Sequence, residues 1–415
     1  MVIVAEPIFP FLKLQTREEA LEHLERFARL PSEEVPLDEA PGRVLADDVL
    51  SPENLPAFRR STMDGFAVVA KDVFGASESS PTELEVVGEV AMGKPAGLTL
   101  RSGETARVWT GGMIPQGADA VLMLEYSREV DATHVELTKA VAPGGNVVQV
   151  GEDVRAGQKV LPVGRRLRPQ DVGLLSALGL ARVSVVRHPK VAILSTGNEL
   201  VPAEQTPSPG QIRDVNTHTL IAMTRALGAT PVPLGLVTDD PARLRDAVVR
   251  GLAETDLVLV SGGSSVGAAD WTLRTFTAFP KAELLVHGVA IKPGKPVILV
   301  NVGGKALVGL PGHVASTLVT FQLFVRPLIT ERLLGSQPEP GRIVRATLNR
   351  NVAAAPGRES WLSVRLEETD RGLTAVPILG SSGLIAPLVH AHGLVSIPLG
   401  SEGLLAGTVV NVHLL

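Results

Sequence analysis

The sequence predicts a multidomain fold of α/β plus β type. A central doubly wound, mainly parallel sheet carries helices on both faces. It is flanked by a β-rich domain, a mixed and discontinuous N-terminal domain and a C-terminal β-barrel. Three observations predict this. Between 189 and 335, continuous aliphatic runs alternate with helical stretches, the pattern of strands buried on both sides and joined by crossover helices. Over 54–149 and again over 340–415, short β-type runs succeed one another between Gly, Pro and Asp. The length, 415 residues, exceeds what one ordinary domain holds.

Taken in order, Thr16-Arg-Glu-Glu19 is a capping box that opens a helix through LEHLERFARL to about Leu30. After Pro52 come FAVVA, LEVVGEV, ARVWT and AVLML, the strands of a compact β-rich domain. The segment GGNVVQVGEDVRAGQKVLPVG then leads to a short helix, PQDVGLLSALG. This helix is expected to rejoin the N-terminal one, so that 1–53 and 150–188 form one discontinuous domain. From Pro189 the alternation is regular. VAILS, a helix over 216–228, PVPLGLV, the helix PARLRDAVVRGLAE, DLVLV and a helix from about Ala269 to Phe279 are followed by AELLVHGVAI, PVILV and ALVGL. One long helix, HVASTLVTFQLFVRPLITERLL, closes the unit, and IVRATL, LTAVPIL, LVSIP and GTVVNVHLL supply the last domain.

Composition narrows the function. Apolar residues make up 45% and charged residues 20%, as in a globular protein with ample core. The net charge of −5 argues against nucleic acid or an anionic membrane as a partner. The absence of cysteine removes disulfides, thiolate nucleophiles and cysteine-ligated metal centres. The apolar start, MVIVAEPIFPFLKLQ, has no basic flank and is broken by Pro7 and Pro10, so a cytoplasmic location is expected.

Ligands of open parallel sheets bind outside the carboxyl ends of the strands. That rule selects the loops Ser195–Glu199, Thr238–Asp240, Ser261–Asp270 and Pro311–His313, with a lysine-bearing turn, Ile291-Lys-Pro-Gly-Lys-Pro296. The third loop, SGGSSVGAAD, lacks the Gly-Lys-Ser/Thr ending of a nucleotide P-loop and closes on a carboxylate instead. Small residues and helix-start amides suit phosphate, as do Lys292 and Lys295. Carboxylates beside phosphate (Glu199, Asp239, Asp270) need a cation between them, and hard oxygen ligands point to Mg²⁺. Each residue also has a plainer reading. Asp240 before Pro241 is a helix cap, Asp270 complements a helix dipole, Gly262 and Gly263 permit a turn, and the two lysines are solvated charges.

At these residues the chain resembles the molybdopterin molybdenumtransferases, the MoeA family that includes the E domain of gephyrin. The resemblance runs in order through nearly the whole chain. It starts at Pro56-Ala-Phe-Arg-Arg-Ser-Thr-Met-Asp-Gly-Phe-Ala67 and continues through Thr110-Gly-Gly, Pro115-x-Gly-Ala-Asp-Ala120 and Gly151-Glu-Asp153. The later matches are Ser195-Thr-Gly-Asn-Glu-Leu200, Asp239-Asp-Pro241, Ser261-Gly-Gly-Ser-Ser-Val-Gly-Ala-Ala-Asp270, the lysine turn and Leu310-Pro-Gly312.

The resemblance implies a homodimer that inserts molybdate into adenylylated molybdopterin with Mg²⁺ and releases AMP. Its active site lies where the α/β domain of one subunit meets the β-rich and C-terminal domains of the other. It implies Asp270, Asp239 and Asp64 as catalytic residues, with Glu199, Asp239 and Asp270 toward the metal. Substrate contacts would come from Thr110, Gly262, Gly263, Ser264, Ser265, Gly267, Lys292, Lys295, Pro311, Gly312, His313, Arg358, Ser381 and Ser382. The upstream adenylyltransferase and acceptor molybdoenzymes are implied partners.

Departures stand at Asn198, where the family carries Asp, at Ser264 and Trp271 in place of Val and Tyr, and at His313 and Val314 in place of Asn and Pro. Asn198 puts a direct metal role at that position in doubt. His313 is read as a neutral helix cap in preference to a pH-sensitive phosphate contact. His390 and His392 lack a third ligand at usable spacing for zinc. The competing functions are the adenylyltransferase step and a non-catalytic scaffold of the gephyrin kind.

Overall fold

The computed structural model describes residues 14–262, 268–338, 342–370 and 372–415, with the backbone alone at 268–270. Its centre is a six-stranded sheet. The strands are β1 (Lys190–Thr196), β2 (Thr230–Val237), β3 (Leu257–Gly262), β4 (Ala282–His287), β5 (Ile298–Val302) and β6 (Lys305–Leu310), in spatial order β2-β1-β3-β6-β5-β4. β2, β1, β3 and β6 run parallel, and β5 is antiparallel to both its neighbours.

Alternation of side chains explains the unbroken aliphatic strands. Val191 and Ile193 of β1, with Leu257 and Leu259 of β3, enter one core together with Leu220 of helix α1 (Asn216–Ala226). Ala192, Leu194, Val258 and Val260 enter a second core, against Leu244 and Val248 of α2 (Pro241–Glu254) and Phe276 of α3 (Ala268–Thr277). Both faces are therefore dry, which is what a mainly parallel sheet requires. Asp240 caps α2 as expected: its Oδ1 accepts from the amides of Ala242 at 2.8 Å and Arg243 at 3.2 Å, with Pro241 in the first turn.

Two helices differ from the sequence reading. The N-terminal capping box forms at Thr16 and Glu19, but the α-helix is Arg17–Glu22, continued only by a 3₁₀ turn to Arg26. The chain extends at Phe27, which is 1% exposed and packs with Leu24 in the main core; burying that ring ends the helix short of Leu30. The long helix expected from His313 is regular only in α4 (Val314–Thr320). It then widens into π-helical turns over Phe321–Val325 and Leu328–Leu333. Pro327 lies between them; it has no N–H to give, and its ring displaces the carbonyl four residues earlier.

Either side of this unit the chain is mostly β. Ser32–Pro36 pairs antiparallel with Arg182–Val186, and Val49–Leu50 with Lys159–Leu161, around a core that includes Leu45, Leu167 and Leu175. A separate six-stranded sheet is built from segments between Gly65 and Leu137. The last segment closes a five-stranded barrel of β7 (Ile343–Leu348), β8 (Glu359–Thr369), β9 (Gly372–Pro377), β10 (Gly393–Ile397) and β11 (Val409–Leu414). Its order is β8-β9-β7-β11-β10, with β10 returning to β8. The short strand Ile291–Lys292 adds to this barrel in parallel with β8, pairing Ile291 with Glu359 and Lys292 with Ser360. Among the described residues, no helix is long and apolar enough to cross a membrane.

Candidate functional site

The strand ends of the central sheet open into a cavity of about 550 Å³. Its floor is set by backbone proximity. Thr196, the last residue of β1, pairs with Gly262, the last of β3, and a Cβ at Gly262 would lie 2.1 Å from the Thr196 carbonyl oxygen. With φ at +113°, the position also favours glycine on conformational grounds. Thr196 Oγ1 donates to Asp239 Oδ1 at 3.0 Å, and the Asp239 amide donates to Asn198 Oδ1 at 3.1 Å. Asn198 thus ties two strand-end loops together. Glu199 folds back so that its carboxylate oxygens are 2.8 and 2.9 Å from where a Gly197 Cβ would stand. Glu199 and Asp239 line the cavity with Ser261, Gly262, Gly312 and His313.

Two further lining residues, Asp214 and Asn216, were not selected from the sequence. Asp214 is 6% exposed; its Oδ1 accepts from Ser195 Oγ at 3.2 Å and from the Thr217 amide at 3.1 Å. Asn216 Nδ2 donates to Ser261 Oγ and to the Gly312 carbonyl, both at 2.8 Å. The signal available was "IRDVN", two polar residues at the start of α1. The strand before it, Ile212–Arg213, has two residues and pairs only with Leu200–Val201, outside the main sheet, so the strand-end rule passed it over.

A second cavity, of about 710 Å³, lies between the lysine turn and the barrel. Lys292, Lys295, Arg358, Ser381 and Ser382 line it, and among its described lining residues there is no Asp or Glu. Gly294 makes the turn possible: its φ is +108°, and a Cβ there would meet Thr320 Cγ2 at 2.5 Å, so the turn lies flat on α4. The two cavities adjoin where Val314 and Ala315, and again Gly383 and Ser382, line one each. His313, on the first, places Nδ1 2.8 Å from Oγ of Ser382, on the second.

That contact corrects the reading of His313 as a cap. It occupies the N-cap position of α4 but makes no capping hydrogen bond. The Ala315 amide, a donor that such a cap would use, is instead taken by the Ser382 carbonyl at 3.0 Å. Pro311 lines neither cavity; it is buried, and Thr317 Oγ1 donates to its carbonyl. His392 Nδ1 accepts from the Leu366 amide at 3.0 Å, a structural use. Among the described residues, no three acidic or histidine side chains gather closely enough to hold a metal by themselves.

Three family models cover the chain in succession: the MoeA N-terminal region (domain I and II) at 15–179, a probable molybdopterin binding domain at 192–331, and the MoeA C-terminal region (domain IV) at 345–415. The chain belongs to the MoeA family. It is accordingly a transferase of molybdenum cofactor biosynthesis. A molybdopterin molybdenumtransferase of Nostoc sp. is 34% identical over 389 residues, covering 92% of this chain and 88% of the relative. One of Bacillus subtilis is 32% identical over 388 residues, covering 92% and 90%. The crystal structure of a molybdopterin biosynthesis moeA protein from Pyrococcus horikoshii OT3 superposes with a TM-score of 0.84 at 33% identity, over 97% of this chain and all of that one.

In this MoeA chain, Asp64 and Thr110 stand apart from both cavities. Asp64 Oδ1 accepts from the amide and the Oγ1 of Thr110, each at 2.8 Å, and these bonds hold its carboxyl below the usual carboxylate range. Both residues are exposed in the β-rich unit. Gly263, Ser264, Ser265 and Gly267 lie outside the described residues, as does the side chain of Asp270, whose backbone is the third position of α3.

Proposed function

We propose that this MoeA-family enzyme inserts molybdate into adenylylated molybdopterin, cleaving the pyrophosphate link and releasing AMP. The observation that carries the reading is the opposite polarity of two adjoining cavities. One is lined by Lys292, Lys295 and Arg358, with no Asp or Glu among its described lining residues, and suits a small dianion. The other is lined by three carboxylates, Glu199, Asp214 and Asp239, against one guanidinium, Arg213, and opens at strand ends of a parallel sheet. A substrate that must meet an oxyanion at one end and a hydrolysable phosphate at the other would span the His313–Ser382 contact.

In this reading the loop after β3 and the start of α3 hold the pyrophosphate through backbone amides. Glu199 and Asp239 fit Mg²⁺, which takes one or two carboxylates together with waters and substrate phosphates, and Asp270 is proposed as a third oxygen donor. When bound, the ion offsets charge on the phosphate being cleaved. Thr196 fixes the Asp239 carboxylate, Lys292 and Lys295 hold molybdate oxygens, and Ser381 and Ser382 supply hydroxyls beside them. Asp64 and Thr110, exposed and remote from both cavities, are proposed to reach the site of a second copy in a homodimer.

Single-turnover AMP release from adenylylated molybdopterin, with molybdate and Mg²⁺, tests the assignment. Asp270→Ala is expected to lose activity by about 100-fold or more, and undiminished release would overturn its role. Mixing Asp64→Ala with Asp270→Ala subunits should restore activity through the site that keeps both aspartates. Failure of any rescue after subunit exchange would overturn the shared site.

A further inference from the structure

Asn216 opens α1 beneath the strand-end loops and is 9% exposed. Its orientation is chemically determined. The Gly312 carbonyl can only accept, so the amide end 2.8 Å from it is the nitrogen, and the same Nδ2 reaches Ser261 Oγ. The other end, Oδ1, is buried and has no hydrogen-bond partner among the described residues. Folded proteins leave few buried acceptors in that condition, and each one calls for an explanation, of which a donor brought in by a ligand is one.

The surroundings restrict what that donor is. Asn216 lines the 550 Å³ cavity beside Glu199, Asp214 and Asp239, and carboxylates donate nothing; Arg213, which also lines it, gives its Nε to the Ala203 carbonyl at 2.9 Å. The phosphates of the substrate proposed above donate nothing either. Its two ring systems do: pterin carries an exocyclic amino group and a ring N–H, and adenine carries an exocyclic amino group. We propose that Asn216 Oδ1 accepts a hydrogen bond from a heterocyclic N–H of the bound substrate, so that Asn216 reads an amino-substituted ring while its Nδ2 ties the Ser261 and Gly312 loops together. This rests on the substrate class argued above and adds to it a specificity-determining residue.

The test is a set of equilibrium binding measurements on the full chain with two matched ligand pairs. AMP is compared with purine riboside 5′-monophosphate, which lacks only the amino group. Pterin is compared with its 2-desamino analogue. A site built around a buried acceptor rejects the ligand that leaves it unpaired, so wild type should prefer the amino-bearing member of one pair by about 10-fold or more. Asn216→Ala should bring that ratio close to one; loss of the Nδ2 tie weakens both members alike and so leaves the change of ratio readable. The pair whose ratio collapses identifies the ring that is read.

A purely structural Asn216 would weaken both members alike and leave the ratio intact, which would overturn the proposal. Wild type binding both members of both pairs equally would overturn it as well, and that arm needs no variant to fold. Failure of AMP and pterin to bind at all would instead count against the substrate class itself.

Discussion

Gly262→Ala isolates the geometry on which the strand-end cavity depends. The new Cβ would stand 2.1 Å from the Thr196 carbonyl oxygen, whereas contacts under 3.0 Å essentially never occur, so β1 and β3 must part by about 1 Å at their ends. Holding alanine at φ +113° costs about 1–3 kcal/mol. Loosening the hydrogen bonding at the Thr196–Gly262 pair adds about 0.5–1.5 kcal/mol. A loss of about 2–4 kcal/mol corresponds to a Tm lowered by roughly 5–15 °C for a unit of this size. Gly235→Ala in β2 is the internal control. Its φ is +87° but nothing lies within 4 Å of its would-be Cβ, so it carries the strain without the clash. Calorimetry on both variants, with single-turnover AMP release, separates the contributions. Gly262→Ala should be the less stable and should lose about 100-fold in rate, because the displaced loop carries the catalytic groups. A Gly262→Ala protein as stable and as active as Gly235→Ala would refute the reasoning.

Other consequences concern charge. Asp171 is 4% exposed, with Arg165 Nη2 at 2.8 Å from Oδ1 and Arg168 Nε at 3.2 Å from Oδ2; both guanidiniums keep contact with water, so Asp171→Ala should cost about 1.5–3 kcal/mol in urea denaturation. The AMP-release rate of the folded fraction should be unchanged, since none of these three residues lines either cavity. Burial, then the Arg17 and Arg326 charges, lower the pKa of His413 below its ordinary 6.5. The unfolded chain therefore takes up that proton first, and stability should fall as pH drops below 6.5, more shallowly in His413→Gln; identical slopes would contradict this. Thr110→Val removes the side-chain bond that, after the backbone one, depresses the Asp64 carboxyl, so the Asp64 titration followed by NMR should move upward toward the ordinary range.

How much of this was legible in the sequence depended on how local the cause was. β1, β3 and α2 were readable because one aliphatic run or one Asp-Pro start decides each of them. β8, the longest barrel strand, was not. In ESWLSVRLEET, Trp361 and Val364 are buried, but Arg365, Glu367 and Glu368 meet solvent or only partial cover, so no clean alternation survives. The π-helical widening around Pro327 and the early end of the first helix at Phe27 follow from packing between distant segments, which a local pattern does not record. At the site, the strand-end rule reached Glu199, Asp239 and Gly262 without any family knowledge. Asp64 came only through the resemblance, because it stands just before a strand of another sheet. Asp214 and Asn216 escaped both routes.

The cationic cavity shows why bulk charge was a poor guide to ligand chemistry. A net charge of −5 weighs against polyanion surfaces, yet Lys292, Lys295 and Arg358 line a cleft with no acidic residue among its described walls. That local excess is made by tertiary pairing. Ile291–Lys292 is sewn to β8 as an added strand, Gly294 lets the turn lie on α4, and the Ala315 amide holds the Ser382 carbonyl. Remove the barrel, and the lysines lose Arg358 and both serines, while the hydrogen bonds that hold Asp214, Asp239 and Asn216 stay within the central unit. The carboxylates of the acidic cavity thus all come from the α/β unit, with Gly383 and Ile385 of the last segment adding to its wall, whereas the cationic cavity draws its charges from both units. A reaction that needs both can be assembled only from a chain that carries the two together.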